Sequence, residues 1–147
     1  MATDTGNAVL NRTQCESLLA RARVGRVIFT DRALPMALPV NYAVDGADVV
    51  FRTSGGRTIA RACDGAVVAF EVDQFDAARR SGWSVVVTGP ARVLTKPGEI
   101  LRADQLGIES WAASPGSVYV RVTAGLVSGR WVGNGACDVP AAERQGA

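Results

Sequence analysis

From Val27 onward the apolar residues come in short, β-branched runs broken by Gly, Pro and Asp, the pattern of a sheet protein. Before that point the period is helical. Thr13 followed by Glu16 reads as a capping box, worth about 1 kcal/mol to the helix it starts. Leu18, Leu19 and Ala22 then share one face of a helix ending near Gly25. That face is narrow, so the helix is expected to lie across a larger core of strands. Val27–Phe29 forms a short strand ending at Thr30-Asp31-Arg32, and a second runs from Met36 to Tyr42. Val44-Asp45-Gly46-Ala47 predicts a type I′ hairpin, with Asp48–Thr53 as the return strand. Pro39–Tyr42 then lies roughly across from Val50–Thr53.

Thr58–Ala62 suits one or two helical turns. Ala66–Asp73 is almost continuously apolar and predicts a strand buried on both faces, followed by a polar connection from Gln74 to Gly82. Trp83–Leu94 is a long strand whose Gly89-Pro90 suggests the bend that closes a barrel. Lys96–Leu106 predicts a helix with Pro97 at its start. Gly107–Gly116 is a loop, and Ser117–Ser128 holds a last pair of strands or one bent strand. The expected fold is mainly β with peripheral helices (α+β), an antiparallel barrel, with an open α+β sandwich as the alternative. Residues 1–12 read as a flexible lead-in, 13–132 as the domain, and 133–147 as a disordered Gly- and Ala-rich tail.

The length of 147 residues suits one domain with a real core. Sixteen basic and 14 acidic residues leave a net charge of +2, which argues for neither nucleic acid nor a membrane surface. No apolar run approaches the roughly 18 residues of a membrane helix. Met1–Asn11 lacks the apolar stretch of a signal peptide, so a cytoplasmic protein is expected. Cys15, Cys63 and Cys137 show no CxxC spacing and imply no disulfide framework, and Cys63 reads as a small core residue. There is no histidine. Ser-His-Asp and Cys-His catalysis, His-containing zinc sites and His-ligated haem are therefore excluded in their usual forms. Chemistry, if present, falls to a cofactor.

One stretch offers a place for it. In Val49–Arg57 an apolar strand runs into Arg52, Thr53, Ser54, Gly55, Gly56 and Arg57. Arginine presents a planar fork to phosphate oxygens, hydroxyls add donors, and glycines let the backbone approach. A solvated turn after a strand collects the same residues. Asp73 and Asp76 fall on a polar connection and read as solvated carboxylates, Arg79 and Arg80 as a solvated loop. Trp83 reads as an interface aromatic, and Trp111 and Trp131 as covers of the barrel or of a dimer seam.

The order of Val24–Val27, Leu38–Tyr42, Phe51–Arg57, Phe70–Asp73 and Gly82–Gly89 resembles the pyridoxamine 5′-phosphate oxidase-like flavin-binding split-barrel family, across roughly residues 13–131. It looks most like the small actinobacterial-type branch. The resemblance implies a split barrel and a homodimer with flavin mononucleotide (FMN) at the subunit interface. Arg52, Thr53 and Arg57 would hold the phosphate, with Ser54 beside them. Val40, Asn41 and Tyr42 would lie along the isoalloxazine ring, largely through backbone groups. Trp83 and Ser84 would close the site from the other subunit. Two departures stand out: Arg57 occupies a position where members commonly carry Lys, and the stretch before the last strand, where members often carry polar or basic residues, reads Ser114-Pro115-Gly116-Ser117-Val118. A basic set for a second phosphate is not evident.

Three readings follow. The first is an FMN-dependent oxidoreductase acting on a small-molecule substrate or electron donor. The second keeps the fold and uses a deazaflavin coenzyme, whose acidic tail would need Arg23, Arg26, Arg61, Arg79 and Arg80 to converge. The third is a non-catalytic flavin- or ligand-binding or sensor dimer.

Overall fold

A computed structural model describes residues 7–53, 57–111 and 116–133. The elements in chain order are β1 (Asn7–Val9), α1 (Arg12–Leu19), β2 (Val24–Asp31), β3 (Leu34–Asp45), β4 (Asp48–Thr53), α2 (Arg57–Cys63), β5 (Val67–Asp76), β6 (Ser81–Val93), α3 (Pro97–Gln105), β7 (Val118–Val122) and β8 (Leu126–Val132). All pairings are antiparallel, and six strands close a ring in the order β6-β5-β2-β3-β4-β7 and back to β6. β8 and β1 extend the sheet from the first half of β6. The architecture is a mainly β split barrel with helices at its margins, and the open sandwich is set aside.

Closure happens at Gly89-Pro90, as the sequence suggests. Up to Thr88, β6 pairs with β8; from Ala91 it pairs with β7. Thr123 N–H donates to Pro90 O (2.9 Å) and Gly125 N–H to Thr88 O (3.1 Å) at the switch. A Cβ at residue 89 would coincide with the Thr123 carbonyl oxygen, so only glycine permits this approach. Inside the ring, Phe51 stacks on Phe70 at 6.0 Å and Tyr42 meets Phe70 edge-on at 5.0 Å. Gly25 lies under the Phe70 ring, where a side chain would collide with it. A second cluster, Val50, Leu94, Ala103 and Ile108, packs α3 against the outside of β4.

Several local readings change. Helix α1 is capped by Asn11, not Thr13: Asn11 Oδ1 accepts from Gln14 N–H (2.8 Å) and Gln14 Oε1 from Asn11 N–H (3.0 Å). Both spacings satisfy the capping box, but starting at Asn11 lets buried Leu10 and Cys15 flank the cap as a hydrophobic staple. The helix ends at Leu19, and Gly25 sits inside β2. The β2–β3 hairpin turns through Arg32 (φ 49°) and Ala33 (φ 65°), two residues without the usual composition for positive φ. At the β3–β4 turn only Gly46 has positive φ, so it is not type I′, which needs both central residues there. β5 buries one face only: Val68, Phe70 and Val72 are buried while Val67 is exposed. It also runs to Asp76, so Asp73 and Asp76 are strand residues. Within the expected lead-in, Asn7–Val9 is a strand paired with Arg130–Val132. The tail from residue 134, with Cys137, lies outside the described residues.

Ion pairs lock the β3–β4 hairpin to its neighbours. Asp45 accepts from Arg102 of α3 (2.7 Å) and from Arg121 of β7 (2.5 Å), and Asp48 accepts from Arg121 (3.1 Å) and Ala124 N–H (3.0 Å). The guanidinium of Arg102, then that of Arg121, holds the Asp45 carboxyl down to about 2. Its contribution is therefore present above the usual value of 3.8 and lost as pH falls toward about 2. Unfolding free energy measured across this window should decline in the parent protein and decline less in Asp45→Asn. Gly89→Ala should cost about 3 kcal/mol in urea unfolding, as backbone overpacking does. Gly98→Ala, where a Cβ meets nothing within 4 Å, should be neutral or stabilising by up to about 1 kcal/mol.

Candidate functional site: a polar cleft at the end of the β3–β4 hairpin

Antiparallel register sets Asn41 directly opposite Arg52 and Tyr42 opposite Phe51. Alternation then divides the predicted residues. Val40 and Tyr42 turn to the core, while Asn41 and Arg52 turn outward beneath the loop that follows α3. At the strand ends these faces meet a cleft of ≈ 120 Å³ lined by Val40, Asn41, Arg52 and Thr53, with Pro39, Ile59 and Ser110. Four sequence-predicted residues thus share one small cavity.

Its polar groups are unusually free. Thr53 is 3% exposed and its Oγ1 has no hydrogen-bond partner among the described residues. Asn41 Oδ1 accepts from Trp111 N–H (3.2 Å), leaving Asn41 Nδ2 buried without an acceptor. Buried donors in native proteins are nearly always paired, so two in one cleft call for a missing acceptor. Arg52 is braced: its Nε donates to Ser117 Oγ (2.9 Å) and its guanidinium lies 5.6 Å from the Tyr119 ring centre. Tyr119 O–H donates to Asp104 Oδ1 (2.7 Å), which fixes the ring in turn. No carboxylate pairs with Arg52 among the described residues. An amide, a hydroxyl and an arginine fork make a donor set that fits a phosphate.

Other predicted members stand apart. Ser54 lies outside the described residues, as does the side chain of Arg57, whose backbone opens α2. Tyr42 does not line the cleft: its hydroxyl donates to Leu19 O (2.5 Å), and burial raises its pKa. Trp83 is buried in a different cleft, and Ser84, next on β6, faces the other side of the sheet. Trp111 is 72% exposed, with its indole N–H donating to Glu109 Oε2 (3.1 Å). Cys63 is buried, with its thiol pushed up to about 11 by desolvation, so it is an inert core residue. Sequence reasoning missed Ile59, Ser110, Ser117 and Tyr119, which reach the cleft or Arg52 from loops and strands whose register no local pattern reveals.

A closed six-strand barrel carrying a small polar cleft beside one hairpin defines the class as a split barrel. The profile of the pyridoxamine 5′-phosphate oxidase family matches residues 11–131, and the chain belongs to that family. It is 37% identical over 125 residues to the uncharacterized protein Rv0080 of Mycobacterium tuberculosis, covering 82% of each chain. The FAD binding protein of Mycobacterium smegmatis has a similar structure, with TM-score 0.77, 30% identity, and coverage of 87% of this chain and 100% of that one. A FAD-binding protein of Mesorhizobium loti follows with TM-score 0.71, 28% identity and coverage of 86% and 98%. No helix among the described residues is long and apolar enough to cross a membrane.

One ionisable group outside the cleft is also perturbed. Glu71, on the outer face of β5, shares the Arg26 guanidinium (3.1 Å) with Asp73 (3.0 Å). Burial first, then the neighbouring Asp73, pushes the Glu71 carboxyl up to about 7. A proton therefore favours the folded state most below the usual 4.5, and this benefit fades as pH rises through about 7. Glu71→Gln should raise unfolding free energy at pH 8 and change it little at pH 4, measured by urea titration at both values.

Proposed function

We propose that this protein binds a flavin nucleotide by its phosphate end in the Asn41–Arg52–Thr53 cleft and acts as an oxidoreductase. The observation that carries this reading is the pair of buried donors, Asn41 Nδ2 and Thr53 Oγ1, without acceptors among the described residues and beside a braced arginine. Phosphate oxygens would satisfy both donors and take the free side of the Arg52 fork. At ≈ 120 Å³ the cleft suits that group and not a tricyclic ring, since small-molecule pockets run to roughly 300 Å³ or more. The ring would lie outside the mouth, along the edge formed by Val40 and Asn41. A second copy of the chain would supply its other wall, which makes the working form a homodimer with the site at the subunit interface.

A bound flavin supplies the hydride chemistry, so the protein needs no acid or base of its own. None of the described cleft residues is a carboxylate, thiol or histidine. The resemblance points to FMN, whereas the two similar structures are FAD-binding proteins. Both nucleotides carry the phosphate this cleft fits, and the neighbours favour FAD. The deazaflavin reading draws less support. Arg23 is held by Glu109 (2.8 Å), Arg26 by Glu71 and Asp73, and Arg79 faces Asp76 (3.7 Å), so each of these three already has a carboxylate partner.

The purified protein should show flavin absorption in the visible, or acquire it on adding FMN or FAD, and denaturation should release a flavin identifiable by mass. Arg52→Ala should weaken flavin binding by about 2 kcal/mol, roughly 30-fold, as expected for a charge-assisted contact. A colourless protein that takes up neither nucleotide contradicts the reading.

A further inference from the structure

A second cleft shares no lining residue with the first. It measures ≈ 320 Å³, within the range of small-molecule sites. Trp83 on β6 and Trp131 on β8 are direct cross-strand partners and form its floor. Phe75 stands at one side, 59% exposed, and is held there by the chain itself: Gly82 has no Cβ, and the Phe75 ring occupies the space one would take. The rim carries Gln74, Asp76, Arg79 and, from the connection after α1, Arg21. Arg79 faces Asp76 at 3.7 Å, while Arg21 makes no ion pair among the described residues. Trp131 Nε1 is buried and has no hydrogen-bond partner among the described residues.

Each feature asks for a different part of one ligand. Two indoles and an uncovered phenyl ring suit a flat aromatic body. A buried indole N–H without an acceptor asks for an oxygen or ring nitrogen at the floor. An unpaired guanidinium at the rim asks for an anionic substituent. We propose that the Trp83–Trp131 cleft is a binding site for a planar aromatic ring bearing a carboxylate, separate from the flavin-phosphate cleft. It makes Trp83 a ligand-binding residue of its own chain, and it stands whether or not a flavin binds at Arg52.

The test uses the full chain labelled with ¹⁵N and two probes of one shape, 2-naphthoate and its uncharged amide, 2-naphthamide. Calorimetry gives the affinities and the indole N–H resonance of Trp131 gives the location. Expected are a shift of that resonance with 2-naphthoate, at least tenfold tighter binding than 2-naphthamide, and loss of this preference in Arg21→Gln, whose exposed site leaves the fold intact. Saturating FMN should leave the 2-naphthoate affinity unchanged. No shift at millimolar 2-naphthoate, or equal affinity for the two probes, overturns the proposal. Displacement by FMN also overturns it, because the cleft would then belong to the flavin site of a second copy. Failure of both FMN and FAD to bind, with 2-naphthoate still bound, sinks the flavin reading and leaves this one standing.

Discussion

The structure turns on the contact between Gly89 and the Thr123 carbonyl. β6 is the one strand that pairs with three others, and it changes partner at this point. Because residue 89 has no side chain, the backbone of 123–125 can lie against it and hydrogen-bond on both sides. That contact brings β7 onto β6 and closes the ring. Without closure β7 would remain attached to β4 alone, and Tyr119 and Ser117 would not be held beside Arg52.

From closure the path to the cleft is short. β7 fixes β4 by register, with Arg52 opposite Tyr119 and Thr53 opposite Val118. β4 fixes β3, with Arg52 opposite Asn41. Asp45 and Asp48 tie the far end of the same hairpin to Arg102 and Arg121, so the hairpin is pinned at the turn as well as along its length. Two donors can then be kept buried and unpaired, a cost of about 1–3 kcal/mol each, because the surrounding barrel holds them in place. Such a cost is tolerated where an acceptor returns on binding.

Much of this was legible in the sequence where the signal is local. The Asp45-Gly46 turn, the Gly89-Pro90 bend and Pro97 at the start of α3 each rest on backbone chemistry that a few residues determine. The hairpin turn in turn sets Asn41 across from Arg52; Arg52 and Thr53 stood out by residue type, whereas Val40 and Asn41 were named through the family resemblance. What escaped depends on tertiary context. Asn11 and Thr13 offer the same capping pattern, and the burial of Leu10 decides between them. Arg32 and Ala33 adopt positive φ because two long strands demand a tight turn there, against their own preference. Tyr42 follows Asn41 in sequence but faces the core, since strand alternation separates neighbours. Trp83 lines a cleft whose other walls come from β5, β8 and the connection after α1, at distances in sequence that no motif spans.

The account stands on the claim that the Asn41–Arg52–Thr53 cleft recognises a phosphate, and one comparison addresses that directly. Riboflavin and FMN differ only in the phosphate. Titrating the purified, flavin-free protein with both, by fluorescence of the flavin, should give FMN an affinity at least tenfold above that of riboflavin. Equal affinity for the two, or binding of neither these nor FAD, would contradict the account.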